Sequence, residues 1–380
     1  MKKRFLLSYT LFAGLLFLAS CSKNETPLPP EITMSIPDQG YEVTAGTQLS
    51  LVAQASNADG ATYTWTNEGK QVSQEQTYNF VSDVPGTFQI GLIVSTSQGQ
   101  ASTQFSVTVT SSSSPYITKV FDYQYGPGQH ASIVMTSESN NFIGEPWADS
   151  KSFVHLGGWG GYIVAGFDHT VKNRDGYDFA VYAQPGASSE PGVVYVMKDI
   201  NGNGKPDDGD WLQLKGSEYS NIETIRNYEV TYYKPATDSD NVTWKDNQGN
   251  SGELVPNYGT DSWWWSGYGD KTEVTFDGER LPDAYVNTST NDSIENWALR
   301  DSLFTWGYAE TYNNQDYDTN LKANRFDISD AVNADGSPAN LDGIDFIKVQ
   351  SSVFQIAGWL NEVSTEVSGA VDLNLLDNAN

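Results

Sequence analysis

The feature that most constrains this chain is how often its apolar residues alternate with polar ones, and how seldom they recur at helical spacing. In "FQIGLIV", Phe88, Ile90, Leu92 and Val94 share one face of an extended segment, and in "FSVTV", Phe105, Val107 and Val109 do the same. "YTW" sets Tyr63 on the same side as Trp65. Further strand-like stretches follow, among them "GYIVAGF", "DFAVYA", "GVVYVMKD", "YEVTYYK", "TEVTF", "DFIKVQ" and "VDLNLL", with Gly, Asn and Asp between them. An all-β chain is the consequence. One segment departs from the pattern: "DSIENWALRDSLF", residues 292–304, has helical spacing, with Asp292 and Glu295 arranged as a capping box, and a helix is expected there.

At 380 residues the chain exceeds one domain of about 150 residues. The serine-rich "TSSSSP" ending at Pro115 reads as a break. The expected organisation is a small antiparallel sandwich over residues 31–110, a linker at 111–115, and a larger, jelly-roll-like β-sandwich over 116–380 that carries the ligand site.

The amino terminus carries Lys2, Lys3 and Arg4 ahead of an apolar run from Phe5 to Leu18, too short to span a bilayer, and so reads as an export signal over residues 1–20. "LASC", ending at Cys21, resembles the lipobox of bacterial lipoproteins, and Cys21 is the single cysteine of the chain. That resemblance implies cleavage before Cys21 and lipidation of it, with residues 21–30 as a tether. No disulfide can form within the chain, so stability after export falls to packing or metal. The formal net charge is -27, and loss of the basic signal makes the remainder more negative still. Such a surface repels nucleic acid. Aromatics at 13% set it apart from a disordered acidic tail.

The loop "DINGNGKPDDGD" places oxygen side chains at positions one, three, five, nine and twelve, namely Asp199, Asn201, Asn203, Asp207 and Asp210, with Gly204 at six and the Lys205 carbonyl at seven. That is the ligand spacing of a twelve-residue calcium loop, since alternate residues of a tight turn converge on a hard cation that takes six to eight oxygens. A bare Asn-Gly hairpin turn is the plainer alternative. Asp316, Asp318 and Asn320, and Asp342 with Asp345, are weaker acidic groupings of a kind common in solvated loops. The run "DSWWWSGYGD" supplies Trp263, Trp264, Trp265 and Tyr268 as aromatic platforms for a sugar ring or a flat macrocycle, unless they plug the core. Of three histidines, His130, His155 and His169, His155 alternates with Phe153 and reads as a sheet residue, while His130 in "GPGQH" lies on a glycine-rich loop and is a ligand-binding candidate. No nucleophile elbow, zinc motif or phosphate loop occurs, and the chain is read as a binding protein rather than an enzyme. A glycosidase carboxylate pair needs no fixed spacing and stays open.

"YTWTNEG", "YNF" and the stretch from "PGTFQIGLIV" to "QFSVTV" resemble a PKD or Ig-like module. "GGYIVAGFDHTVKNRDGYDFAVYA", "GVVYVMKDINGNGKPDDGDWLQLKGSEY", "FDGERLPD" and "IDFIKVQSSV" resemble a group of Bacteroidetes cell-surface lipoproteins with a PKD-like domain ahead of a sandwich. The resemblance implies a surface-exposed outer-membrane lipoprotein that captures an extracellular nutrient, a corrinoid such as cobalamin or a glycan, for a neighbouring transporter. It would give His130 a role as cobalt ligand. An adhesion or structural surface protein is the alternative, and a glycan-acting enzyme comes third.

Overall fold

The computed structural model describes residues 27–376 except 112, 129–135, 147–151, 184–188, 238–239, 256–264, 291–294, 301, 313 and 359–360. The expected signal, lipidation site and most of the tether lie outside the described residues. The chain divides into two compact units, one running to Val109 without residues 84–86, the other comprising those three residues and 110 onward.

The first unit holds strands β1 (Glu31–Ile32), β2 (Tyr41–Thr44), β3 (Leu49–Val52), β4 (Ala55–Ser56), β5 (Thr62–Asn67), β6 (Lys70–Ser73), β7 (Thr77–Phe80), β8 (Gly86–Thr96) and β9 (Gly99–Thr110). A five-stranded sheet in the order β2-β9-β8-β5-β6 is accompanied by the pairs β1-β4 and β3-β7. Its core is the one the alternation anticipates. Ile90, Leu92 and Val94 of β8 are fully buried with Val107 of β9, Leu51 and Phe80. Trp65 closes this core, its indole N–H donating to the Glu75 carbonyl at 3.0 Å.

In the second unit the strands are β10 (Lys119–Gln124), β11 (Val154–His155), β12 (Tyr162–Lys172), β13 (Phe179–Ala183), β14 (Gly192–Met197) and β15 (Leu212–Leu214). There follow β16 (Ile225–Tyr233), β17 (Val242–Asp246), β18 (Ser251–Leu254), β19 (Glu273–Arg280), β20 (Tyr285–Asn287) and β21 (Trp297–Leu299). The last are β22 (Tyr317–Asp318), β23 (Ala323–Phe326), β24 (Ala331–Val332), β25 (Gly343–Ser351) and β26 (Glu366–Asp372), ahead of one helical turn, α1 (Leu373–Leu376). A six-stranded sheet, β10-β12-β25-β14-β15-β24, faces a five-stranded one, β11-β26-β13-β23-β22. Ile163, Val194, Val196, Ile347 and Val349 from the first pack against Phe179, Val181, Phe326 and Val367 from the second. From β10 to β14 consecutive strands alternate between the two sheets, as in a jelly roll. This nearly all-β sandwich is the fold class that the alternating pattern dictates.

The six-stranded sheet is buried on its outer face as well. Strand β14, "GVVYVM", is buried along its whole length because Val194 and Val196 face the sandwich while Val193 and Tyr195 enter another core with Leu281, Tyr308 and Val353. A further four-stranded sheet, β18-β17-β16-β19, packs Tyr228, Val230, Tyr232 and Phe276 around Trp159. Gln350 of β25, 1% exposed, ties these parts together: its amide nitrogen donates to the carbonyls of Gly160 and of Asp277, each at 2.9 Å.

Asp292 of the expected capping box lies outside the described residues, and in the described part of 292–304 the expected helix is corrected. Residues 297–299 form β21, antiparallel to β20, and just before it Asn296 O accepts from Thr288 N–H at 2.7 Å. The apolar spacing there serves another end: Trp297, Leu299 and Leu303 lean on the core of Leu281 and Tyr308. Tertiary packing thus overrides a weak local propensity. Among the described residues no helix is long and apolar enough to cross a membrane.

Candidate functional site

Within the second unit a cleft of about 300 Å³ falls at the lower end of the range for small-molecule sites, roughly 300–1,000 Å³. Six short segments build it: Pro127–Gly128, Gly158–Trp159, strands β16 to β18, Arg280 at the end of β19, Val353–Ile356 and Asn361–Val363. Local chemistry explains how these segments meet. A Cβ on Gly158 would overlap the Pro127 carbonyl, so only glycine lets the two loops run this close. Tyr232 Oη donates to the Trp159 carbonyl at 3.0 Å, and the Gly160 N–H donates to Ser351 O at 2.9 Å. Trp159 is thereby held in place from both sides.

The walls are aromatic. Phe354 meets Trp244 edge-on, with centroids 4.9 Å apart. Trp159 meets Tyr228 edge-on at 4.8 Å. On β18, Gly252 leaves room for Trp244, since a Cβ there would come 2.7 Å from the indole Cζ2. Polar groups are few. Arg280 stacks over Tyr228 at 5.3 Å and over Phe354 at 5.6 Å. Trp159 is 1% exposed and its indole nitrogen has no hydrogen-bond partner. Glu253 accepts from Asn241 at 2.7 Å, and Glu362 lies against Gly128. Gln355 is spent on the backbone of Tyr285, accepting from its N–H at 3.0 Å and donating to its carbonyl at 2.8 Å.

The sequence pointed elsewhere for its aromatic platform. Trp263, Trp264 and His130 lie outside the described residues. Trp265 and Tyr268 are buried, 1% and 4% exposed. The Trp265 indole donates to Lys271 O at 2.7 Å, and Tyr268 Oη donates to Tyr125 O at 2.6 Å. The expectation that these two grip a ligand is therefore corrected: neither has an open face or a spare polar atom. Trp265 also leads into a 3-10 turn, Ser266–Tyr268, so strand alternation does not apply to it. His155 and His169 are structural. His155 Nδ1 lies 2.7 Å from Glu138, and His169 bridges Asp168 and Asp372, each at 2.9 Å.

In the loop at 199–210 the side chains turn inward on their own backbone. Asp199 accepts from the N–H groups of Asn203 at 3.1 Å and Gly204 at 2.8 Å, and Asn203 Oδ1 accepts from Lys205 N–H at 2.8 Å. Asn203 donates its amide to Asp207 at 2.9 Å. Asp208, absent from the expected ligand set, accepts from the N–H groups of Ile200 at 2.7 Å and Asn201 at 3.0 Å. Asp210 takes no part in these bonds. A second group of acids was invisible in the sequence because its members are far apart in it. Carboxylate oxygens of Glu190, Glu310 and Glu366 lie within 4.8 Å of one another. Burial, followed by mutual repulsion, raises Glu190 and Glu310 well above the usual carboxylate range. Of the described residues these three converge closely enough to hold a cation.

Residues 29–96 match the model of the PKD-like domain. No curated protein matches the chain. Among solved structures, a quinonprotein alcohol dehydrogenase-like protein of Bacteroides thetaiotaomicron is 12% identical over 61% of this chain and 74% of that one, with a TM-score of 0.23. SGBP-B of the Bacteroides ovatus mixed-linkage glucan utilization locus, in complex with a mixed-linkage heptasaccharide, is 13% identical over 69% and 72%, with a TM-score of 0.23. Carbohydrate-binding modules of the β-sandwich superfamily are 14% identical over 92% and 99%, with a TM-score of 0.21. TM-scores this low carry no argument about fold or function. What the comparisons establish is that the chain carries a PKD-like domain at residues 29–96.

Proposed function

We propose that this protein is a lipid-anchored, cell-surface binding protein of the outer membrane that captures a ring-bearing extracellular nutrient, a glycan in the first instance, for a neighbouring transporter. The observation that carries the reading is the cleft walled by Trp244 and Phe354, with a buried Trp159 indole N–H that lacks an acceptor. Aromatic faces suit the apolar face of a sugar ring, and an unpaired donor gains a partner when a hydroxyl enters. The lipobox ending at Cys21 supports the anchor. A second reading, a corrinoid, is favoured by the aliphatic rim, where Val255 is 47% and Ile356 49% exposed. Such a rim suits the alkylated edge of a corrin ring, which the cleft is too small to enclose. Calorimetry of the full chain against a glycan panel and cobalamin, with Trp244→Ala as control, tests both. Glycan binding lost in the variant supports the first, and cobalamin binding the second. No heat with either overturns capture in favour of adhesion, while release of sugar ends would assign Glu253 and Glu362 a catalytic role.

We also propose calcium in the 199–210 loop, with Asp199, Asn201, Asn203, the Lys205 carbonyl, Asp207 and Asp210 as ligands and Asp208 in support. Binding would require these side chains to leave the loop N–H groups they now accept from, such as Asn201 Oδ1 from Asn203 N–H at 2.9 Å and Asp199 from Gly204 N–H at 2.8 Å, and to turn onto the ion. Chelator should then lower the melting temperature, and an unchanged melt would rule the ion out.

A further inference from the structure

We infer that the cleft selects a ligand bearing an oxyanion, held by Arg280 together with Trp159; the inference rests on the capture reading above. The Arg280 guanidinium is fixed in plane by the faces of Tyr228 and Phe354. Its one hydrogen bond is a long one, Nη1 to Tyr228 Oη at 3.4 Å. Among the described residues no carboxylate forms an ion pair with it, and Asp283 feels its charge only at longer range. Trp159 lines the same cleft, and its buried indole N–H has no hydrogen-bond partner. A pre-oriented guanidinium fork, with an N–H lacking an acceptor on another residue of the same cleft, is a donor set for the oxygens of one charged group.

Three carboxylates oppose this. Asp283 senses the Arg280 charge without pairing with it. Glu253 is exposed, with one oxygen engaged by Asn241, so water and salt screen it. Glu362 lines the cleft beside Gly128. None is paired with Arg280, and an anion at hydrogen-bond distance from the fork gains more than it loses to charges farther off, because the interaction falls with distance.

The oxyanion has two sources, a carboxylate or sulfate on a sugar and the phosphodiester of a corrinoid. Calorimetry of the full chain with a neutral disaccharide, its uronic acid and sulfated counterparts, cobalamin, and cobinamide, which lacks the phosphodiester, separates them. The charged member of the matching set should bind about 10- to 100-fold more tightly than its neutral partner. Arg280→Gln should abolish that preference and Arg280→Lys should restore part of it. Trp159→Phe, which keeps a ring and removes the N–H, reads out the second donor if the Arg280 variants do not fold. Equal affinity within a set, or a preference that survives Arg280→Gln, overturns the inference and leaves nutrient capture standing. Absence of binding to every probe overturns both.

Discussion

Replacing Glu279 with Gln puts a number on a buried carboxylate. Glu279 lies on β19 and is 2% exposed; the Gln213 amide faces it, but outside hydrogen-bond geometry, so its oxygens have no good hydrogen bond. Burial pushes it from 4.5 up to about 7, with the Gln213 amide and the Arg226 charge pulling it partway back. In the unfolded chain the group loses its proton near its ordinary value, whereas the folded chain keeps it to about 7. Between these points the folded state holds the extra proton, so stability falls as pH rises through that window and levels off above it. The shift corresponds to about 3 kcal/mol at roughly 1.4 kcal/mol per unit. Glu279→Gln keeps the shape and removes the charge. Urea denaturation of parent and variant, followed by tryptophan fluorescence at intervals from about pH 4 to about pH 8, should show the gap moving in the variant's favour by about 3 kcal/mol. A gap that stays constant across that range would show that Glu279 is solvated or paired in solution, and the reasoning would fail.

Three further outcomes are expected. Trp265→Ala should cost about 3–5 kcal/mol in denaturant titrations while leaving affinity per folded molecule unchanged, because the ring is a plug; loss of affinity at unchanged stability would reverse that assignment. Gly252→Ala should weaken ligand binding in calorimetry with little change in melting temperature, since the new Cβ displaces Trp244; undiminished binding would remove Trp244 from the site. Burial alone would lower the His169 pKa, but its hydrogen bonds to Asp372 and Asp168 raise it above 6.5. The stabilisation should be complete below about pH 6.5 and fade as pH rises through the folded value, and a pH-independent melting difference for His169→Gln would refute this.

The strands were legible because burial and alternation are the same signal when one face of a sheet is covered, as Ile90, Leu92 and Val94 show. Strand β14 was legible for the opposite reason, an unbroken apolar run buried on both faces. The segment at 292–304 misled because Trp297, Leu299 and Leu303 are spaced by the core they meet, which lies outside any local window. The cleft was hidden for a related reason. Trp244, Gly252, Arg280, Phe354 and Glu362 each look like ordinary strand or turn residues, and only the fold makes them neighbours. The tryptophan run drew attention through density of aromatic residues, yet density does not distinguish a ring that faces a ligand from one that seals a core.

Gln350 spends both protons of one amide on two different elements, the backbone beside Trp159 and the strand that ends in Arg280. The floor of the cleft and one of its walls are thus riveted to the central sheet of the sandwich, and the pocket has little freedom to open without loosening that sheet. Binding free energy gained in the cleft is then felt by the second unit as a whole. An unidentified ligand would announce itself as a rise in that unit's melting temperature, so a library of nutrients can be screened by heat alone before any of them is known by name.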